Sequence, residues 1–170
     1  RTPEGALPPG RSGHAMSYDT ARGVMVLFGG AGDDPAHIDE DGHLNDLWEW
    51  DGETWLARET LDPAPSARSG HAMSYDTARG VTLLTGGETL LFGGNEGLVS
   101  NVVMEDGASS NYLVHHHWEW DGETWSIHST PNKIGARTGN ASVYDIARDL
   151  TVHVGAGYGA MFEMMYSLHT

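Results

Sequence analysis

The phrase RSGHAMSYDTARGV stands twice in the chain, at Arg11–Val24 and at Arg68–Val81, without one change. WEWDGETW also returns, at Trp48–Trp55 and Trp118–Trp125. The two phrases alternate, with an apolar run ending in a double glycine and then a loop between them. A catalytic loop needs one copy, so the repetition points to structural units. Each unit must stack on a neighbour to bury its apolar face. A worn third copy, RTGNASVYDIARDLTVHVGAG, begins at Arg137.

Each unit reads as two hairpins. HAMSYD and VMVLFGG flank TARG, whose Gly23 suits a turn with positive φ. Val24–Phe28 is continuously apolar, as for a strand covered on both faces. LWEWD and TWLARE are joined across Asp51-Gly52, a strong hairpin signal. A two-residue turn there sets Trp48 opposite Trp55; a four-residue loop sets Trp50 opposite Trp55. Either way an aromatic cross-strand pair forms, and its repetition in both complete units assigns these tryptophans to the core. Glycine, at 23 of 170 residues, interrupts every candidate helix, so an all-β chain is expected.

Four antiparallel strands per unit, a double glycine closing the second strand and spaced aromatics in the third and fourth resemble the kelch repeat of β-propellers. The residues that carry the resemblance are Gly29, Gly30, Gly93 and Gly94, with Trp48, Trp50, Trp55, Trp118, Trp120 and Trp125. The WD-type propeller competes through Gly13-His14 and Trp50-Asp51, but its period is roughly 40–45 residues against about 50 for kelch. The double glycine favours kelch. The expected organisation is the end of a preceding blade or a linker at 1–10, blade one at 11–61, a linker at 62–67, blade two at 68–130 and a degenerate partial blade three at 137–170. Blade two carries an insertion near 85–91, where VTLLTGGETLLFGG stands against VMVLFGG. Thr85-Gly86-Gly87 reads there as a failed ending and Phe92-Gly93-Gly94 as the second. Closed propellers typically need 4–8 blades. The segment is therefore expected not to close alone, but to belong to a longer propeller or to pair with a second copy.

The kelch resemblance implies a binding or interaction module, with a ligand-facing rim at the starts of the first strands and just after the double glycines. Those positions are Arg11, Ser12, Arg68, Ser69, Arg137 and Thr138, with Asp33, Asp34, Asn95 and Glu96. An arginine recurring there could grip a carboxylate bidentately, or pair with an aspartate inside the stack. Strand order puts the long, unlike loops Ala31–Asp46 and Asn95–His116 on that same rim. Long loops on a rigid scaffold are where function usually resides.

The net charge of −15 repels phosphate backbones and argues against nucleic acid. A protein or carbohydrate ligand is the expected partner, the carbohydrate binder being pictured as a lectin-like domain of an exported protein. A propeller enzyme, a hydrolase or isomerase using carboxylates and arginines, is the further alternative. Such an enzyme should show perturbed carboxylates converging in a pocket. No apolar run reaches the roughly 20 residues of a membrane span. The absence of cysteine excludes thiolate metal sites, and the Tyr–Cys crosslink of the radical-copper oxidases that share kelch architecture.

Two segments offer metal-ligating side chains. Asp39, Asp41 and Asp46 with Gly42 resemble part of a calcium loop, but the full acidic spacing is absent. In VHHHWEW, His115 and His117 share one face of a strand and His116 takes the other. No third ligand can be assigned from spacing, so neither a metal site nor a cofactor is expected.

Overall fold

The computed structural model describes residues 6–88, 100–103, 109–112, 116–129 and 138–156. Among them there is no helix, and every strand pairing is antiparallel. The fold is all-β, and no sheet closes into a barrel.

The first sheet holds β1 (Arg11–Ser12), β2 (Ala15–Asp19), β3 (Val24–Gly32), β4 (His43–Trp50) and β5 (Trp55–Arg58). Both β1 and β2 pair with β3, so the repeated phrase makes one interrupted outer strand. The second sheet has β6 (Ser69–Asp76), β7 (Val81–Glu88), β10 (His116–Trp120) and β11 (Trp125–Ser129), joined in the order β11-β10-β7-β6. A separate hairpin, β8 (Ser100–Val103) with β9 (Ser109–Tyr112), lies within the long loop. The third copy forms the pair β12 (Thr138–Asp145) and β13 (Leu150–Ala156).

Local chemistry explains the turns. The Asp19 carboxylate accepts from the backbone of Ala21 and Arg22, and Gly23 closes the turn at φ 71°. Asp76 with Gly80 repeats the arrangement. The WEWDGETW loop has four residues, so Trp50 faces Trp55 and Trp120 faces Trp125. Their ring centroids are 5.5 and 5.3 Å apart. Asp51 settles that loop length by capping the backbone of Glu53 and Thr54.

The double glycine needs correction in unit two. Met73 pairs with Leu84 as Met16 pairs with Leu27, so Gly86 and Gly87 take the places of Gly29 and Gly30. Thr85-Gly86-Gly87 is thus the working ending of this strand, and Gly93 and Gly94 lie outside the described residues. The β6–β7 register makes that choice, and sterics makes glycine necessary there. A Cβ on Gly29 would sit 2.8 Å from the Arg68 carbonyl, and one on Gly87 would sit 2.9 Å from the Ser69 carbonyl. Both glycines also hold positive φ, at 57° and 97°.

The core lies between the first two sheets. Val26, Phe28 and Leu47 from one meet Met73, Leu84, Trp118, Trp120 and Trp125 from the other. Phe28 stands edge-on to Trp125 at 5.5 Å. Burial of each such side chain contributes about 1.5–3 kcal/mol. Polar stitches fix the stacking: Gly30 N–H donates to the Arg68 carbonyl, Gly70 N–H to Gly13, and the Trp120 indole to Glu49. The first strands β2, β6 and β12 therefore lie side by side, each the free edge of its own hairpin set.

Candidate binding site

Where β2, β6 and β12 meet there is an open hollow of about 330 Å³. Equivalent positions of the three copies line it: Tyr18, Tyr75 and Tyr144, then Thr20, Thr77 and Ile146. Ser17, Ser74, Ser142, Met16, Met73 and Val143 complete it. Ser74 and Ser142 are bonded across the gap at 2.8 Å. No carboxylate, imidazole, lysine or arginine is among its described lining residues.

The charges near the hollow are tied down instead. Arg22 donates to Asp19 and to Glu49 at 2.6 and 2.7 Å. Arg79 repeats this with Asp76 and Glu119 at 2.8 and 2.6 Å. The Tyr75 hydroxyl donates to Asp19 of the preceding unit. The Tyr144 hydroxyl lies between Asp149, 2.5 Å away, and Asp76. Burial pushes the Asp19 carboxyl up, but the hydrogen bonds from Arg22 and Tyr75 outweigh it and hold it below its ordinary range. Asp19 is thus held as an anion of the framework, not as an acid poised to exchange a proton.

The rim positions named from sequence fall into separate settings. Arg11 is buried and spends its guanidinium internally. It donates to both Asp46 oxygens at 2.5 and 2.6 Å, to the Gly29 carbonyl at 3.0 Å and to Pro9. Its bidentate grip is thus on a carboxylate of its own sheet. Arg68 is half-buried and donates to the Gly86 carbonyl and to Ser66. Ser12 and Asp33 are exposed, while Ser69 and Asp34 are half-buried. Thr138 starts β12. Asn95, Glu96 and Arg137 lie outside the described residues.

In the acidic loop, Asp39 caps the backbone of Asp41 and His43, and Asp34 caps Ala36. Asp46 is held by Arg11 and by the Trp48 indole at 2.6 Å. These three aspartates serve loop and framework.

The histidines give a different outcome. His115 lies outside the described residues. His117 pairs directly across the sheet with His128, and their rings stack at 5.3 Å. Glu119, on the same face of β10, sits 3.2 Å from His117 Nε2 and 3.4 Å from His128 Nε2. Burial raises the Glu119 carboxyl, but His117 and Arg79 outweigh that and bring it down to about 2. Glu119 belongs to the repeated phrase, and His128 lies three residues beyond its end. Once the loop 121–124 has four residues, the hairpin register itself pairs position 117 with position 128.

No family model matches the chain, and no curated protein matches it at a significant level. Solved structures do match, among them the one described as "Structure of YjhT". It superposes with a TM-score of 0.53 over 92% of this chain, at 14% sequence identity. This chain spans 41% of that one. A likeness at that identity is one of fold alone.

Proposed function

We propose that the chain is a segment of a kelch-like β-propeller that works as a binding module, with its ligand taken in the hollow between β2, β6 and β12. The observation that carries this reading is the lining. Hydroxyls and apolar side chains converge there, while the nearby carboxylates are paired with an arginine or, for Asp149, with the Tyr144 hydroxyl. A catalyst of hydrolysis or isomerisation needs a free acid or base within reach of the reacting atoms. A binder needs an apolar floor with a few directed polar groups. The ligand class that suits tyrosine rings beside serine and threonine hydroxyls is a neutral carbohydrate. The rim of long loops, with Ser12, Asp33 and Ser69, is the second contact region and favours a protein partner if the hollow proves inert.

The test is a glycan array probed with the labelled chain, followed by chemical-shift mapping with the best neutral oligosaccharide. Shifts at Tyr18, Ser74 and Tyr144, lost in Tyr144→Ala, are expected. Shifts confined to the TARG and DGE turns, or chemical change in the bound sugar, would contradict the reading.

A further inference from the structure

We propose that the second sheet carries a site for a divalent transition-metal ion of the zinc type, held by His117, Glu119 and His128. The site shares no residue with the lining of the hollow.

Three observations carry it. First, the ligand atoms are already assembled. One atom from each residue lies within 4.8 Å of the others, the single such group among the described residues. Tetrahedral zinc, with bonds of about 2.0–2.2 Å, sets neighbouring ligand atoms roughly 3.3–3.5 Å apart. His128 Nε2 lies 3.4 Å from Glu119 Oε2, close to that edge length, while His117 Nε2 lies 3.2 Å from the other oxygen, Oε1, of the same carboxylate. Both imidazoles present Nε2 to the carboxylate; His117 Nε2 is hydrogen-bonded to it, and His128 Nε2 also lies 3.2 Å from Ser126 Oγ.

Second, the repeat supplies an internal control. In the first sheet the same register positions are Leu47 and Arg58, around Glu49. There Arg58 Nε lies 3.7 Å from Glu49, and Arg22 completes the neutralisation. The framework glutamate thus has a satisfactory apolar-plus-guanidinium solution in this fold. Unit two keeps the glutamate and the Arg79 partner, and exchanges Leu and Arg for two imidazoles. Stability alone needs neither imidazole. Two neutral nitrogen donors and one carboxylate are a ligand set that suits zinc, copper or nickel and not calcium or magnesium.

Third, access and orientation fit. The His128 side chain is 43% exposed, which leaves an approach and open coordination positions. Arg79 sits on Oε1 of Glu119 at 2.6 Å, so Oε2 is the oxygen offered to the ion. His117 is buried with its Nδ1 unpartnered, which leaves that nitrogen free to carry the ring proton while Nε2 binds.

The experiment is calorimetric titration of the intact chain with Zn²⁺, with Co²⁺ absorption as a spectroscopic readout. One ion per chain should bind. His128→Ala, at an exposed position, and Glu119→Gln should each weaken it by about tenfold or more, the least expected for a lost ligand. The low-coordinate Co²⁺ bands should vanish with them, and circular dichroism checks that each variant is folded. The double variant His115→Ala/His116→Ala should bind as the parent does, and excess Mg²⁺ or Ca²⁺ should not compete. Absence of one-to-one binding would overturn the proposal. So would binding that survives His128→Ala but is lost in the double variant, since that marks a polyhistidine loop. Competition by Ca²⁺ would overturn it as well.

Discussion

The same phrase lives in two settings in this molecule. In β6 it lies between β2 and β12; in β2, among the described residues, only β6 lies alongside from another unit. Met73 is 6% exposed and its twin Met16 is 40% exposed. Tyr75 is 8% exposed and bonded to Asp19, whereas Tyr18 is 51% exposed. The tryptophans follow suit: Trp120 and Trp125 are buried in the core, Trp50 and Trp55 are half-buried. A Cβ on Gly122 would collide with the Arg22 guanidinium, and its carbonyl accepts from Arg58, while a Cβ on Gly52 would point into open space. Local sequence chooses the strand and the turn. The neighbouring sheet decides what those strands bury, so the energetic weight of a residue is set by its place in the stack.

The largest effect should come from the tryptophans. Trp120→Ala removes a fully buried ring and the indole bond to Glu49, so it should cost about 3–5 kcal/mol. Trp50→Ala, half-exposed, should cost about half of that or less on the same area argument. Denaturant titrations of the two variants compare them. Equal costs would break the distinction between the settings.

The histidines sharpen it through pH. Burial, with help from the Arg68 charge, drives the His71 imidazole down to about 3. Burial likewise brings His153 to about 4. Both are lower folded than unfolded, so below the unfolded value near 6.5 the unfolded chain binds more protons. Stability should therefore fall as pH drops from 7 to 5, with a slope approaching about 1.4 kcal/mol per pH unit for each fully buried histidine. His71→Leu should remove its share of that slope. His14→Leu should leave the slope nearly unchanged, because His14 is exposed and only mildly lowered by burial and Arg11. Stability melts across that window decide, since they lie above the range where Glu119 titrates.

The smallest contrast is in the tyrosines. Tyr75→Phe should lose roughly 0.5–1.5 kcal/mol with the bond to Asp19, and Tyr18→Phe should stay within about 0.5 kcal/mol of the parent. A matching loss in both would mean that Tyr18 has a partner of its own.

Much of this architecture was legible in the residues. Repetition, the TARG turn and the Asp-Gly loop yield paired hairpins and an all-β chain, because those signals act over a few residues. The choice between Trp48 and Trp50 opposite Trp55 stayed open, since it turns on how Asp51 caps its loop. The misplaced double glycine has a similar cause: both endings of unit two look alike, and only the pairing of β6 with β7 selects Gly86-Gly87. Arg11 with Asp46 could not be read, because that contact joins distant segments across a rim. His128 was missed for want of a register, although its chemistry was in plain view.

The most direct test of the central claim uses the methionine pair within the repeated phrase. Tryptic peptides cannot separate the copies, since Ser12–Arg22 and Ser69–Arg79 are identical in sequence. Methyl-labelled methionine, assigned with Met16→Leu and Met73→Leu, can be read by NMR beside a soluble paramagnetic agent. The Met16 methyl should broaden strongly while the Met73 methyl is protected. Equal broadening of the two would show that the third strand pair does not cover β6, and would contradict the stacking described here.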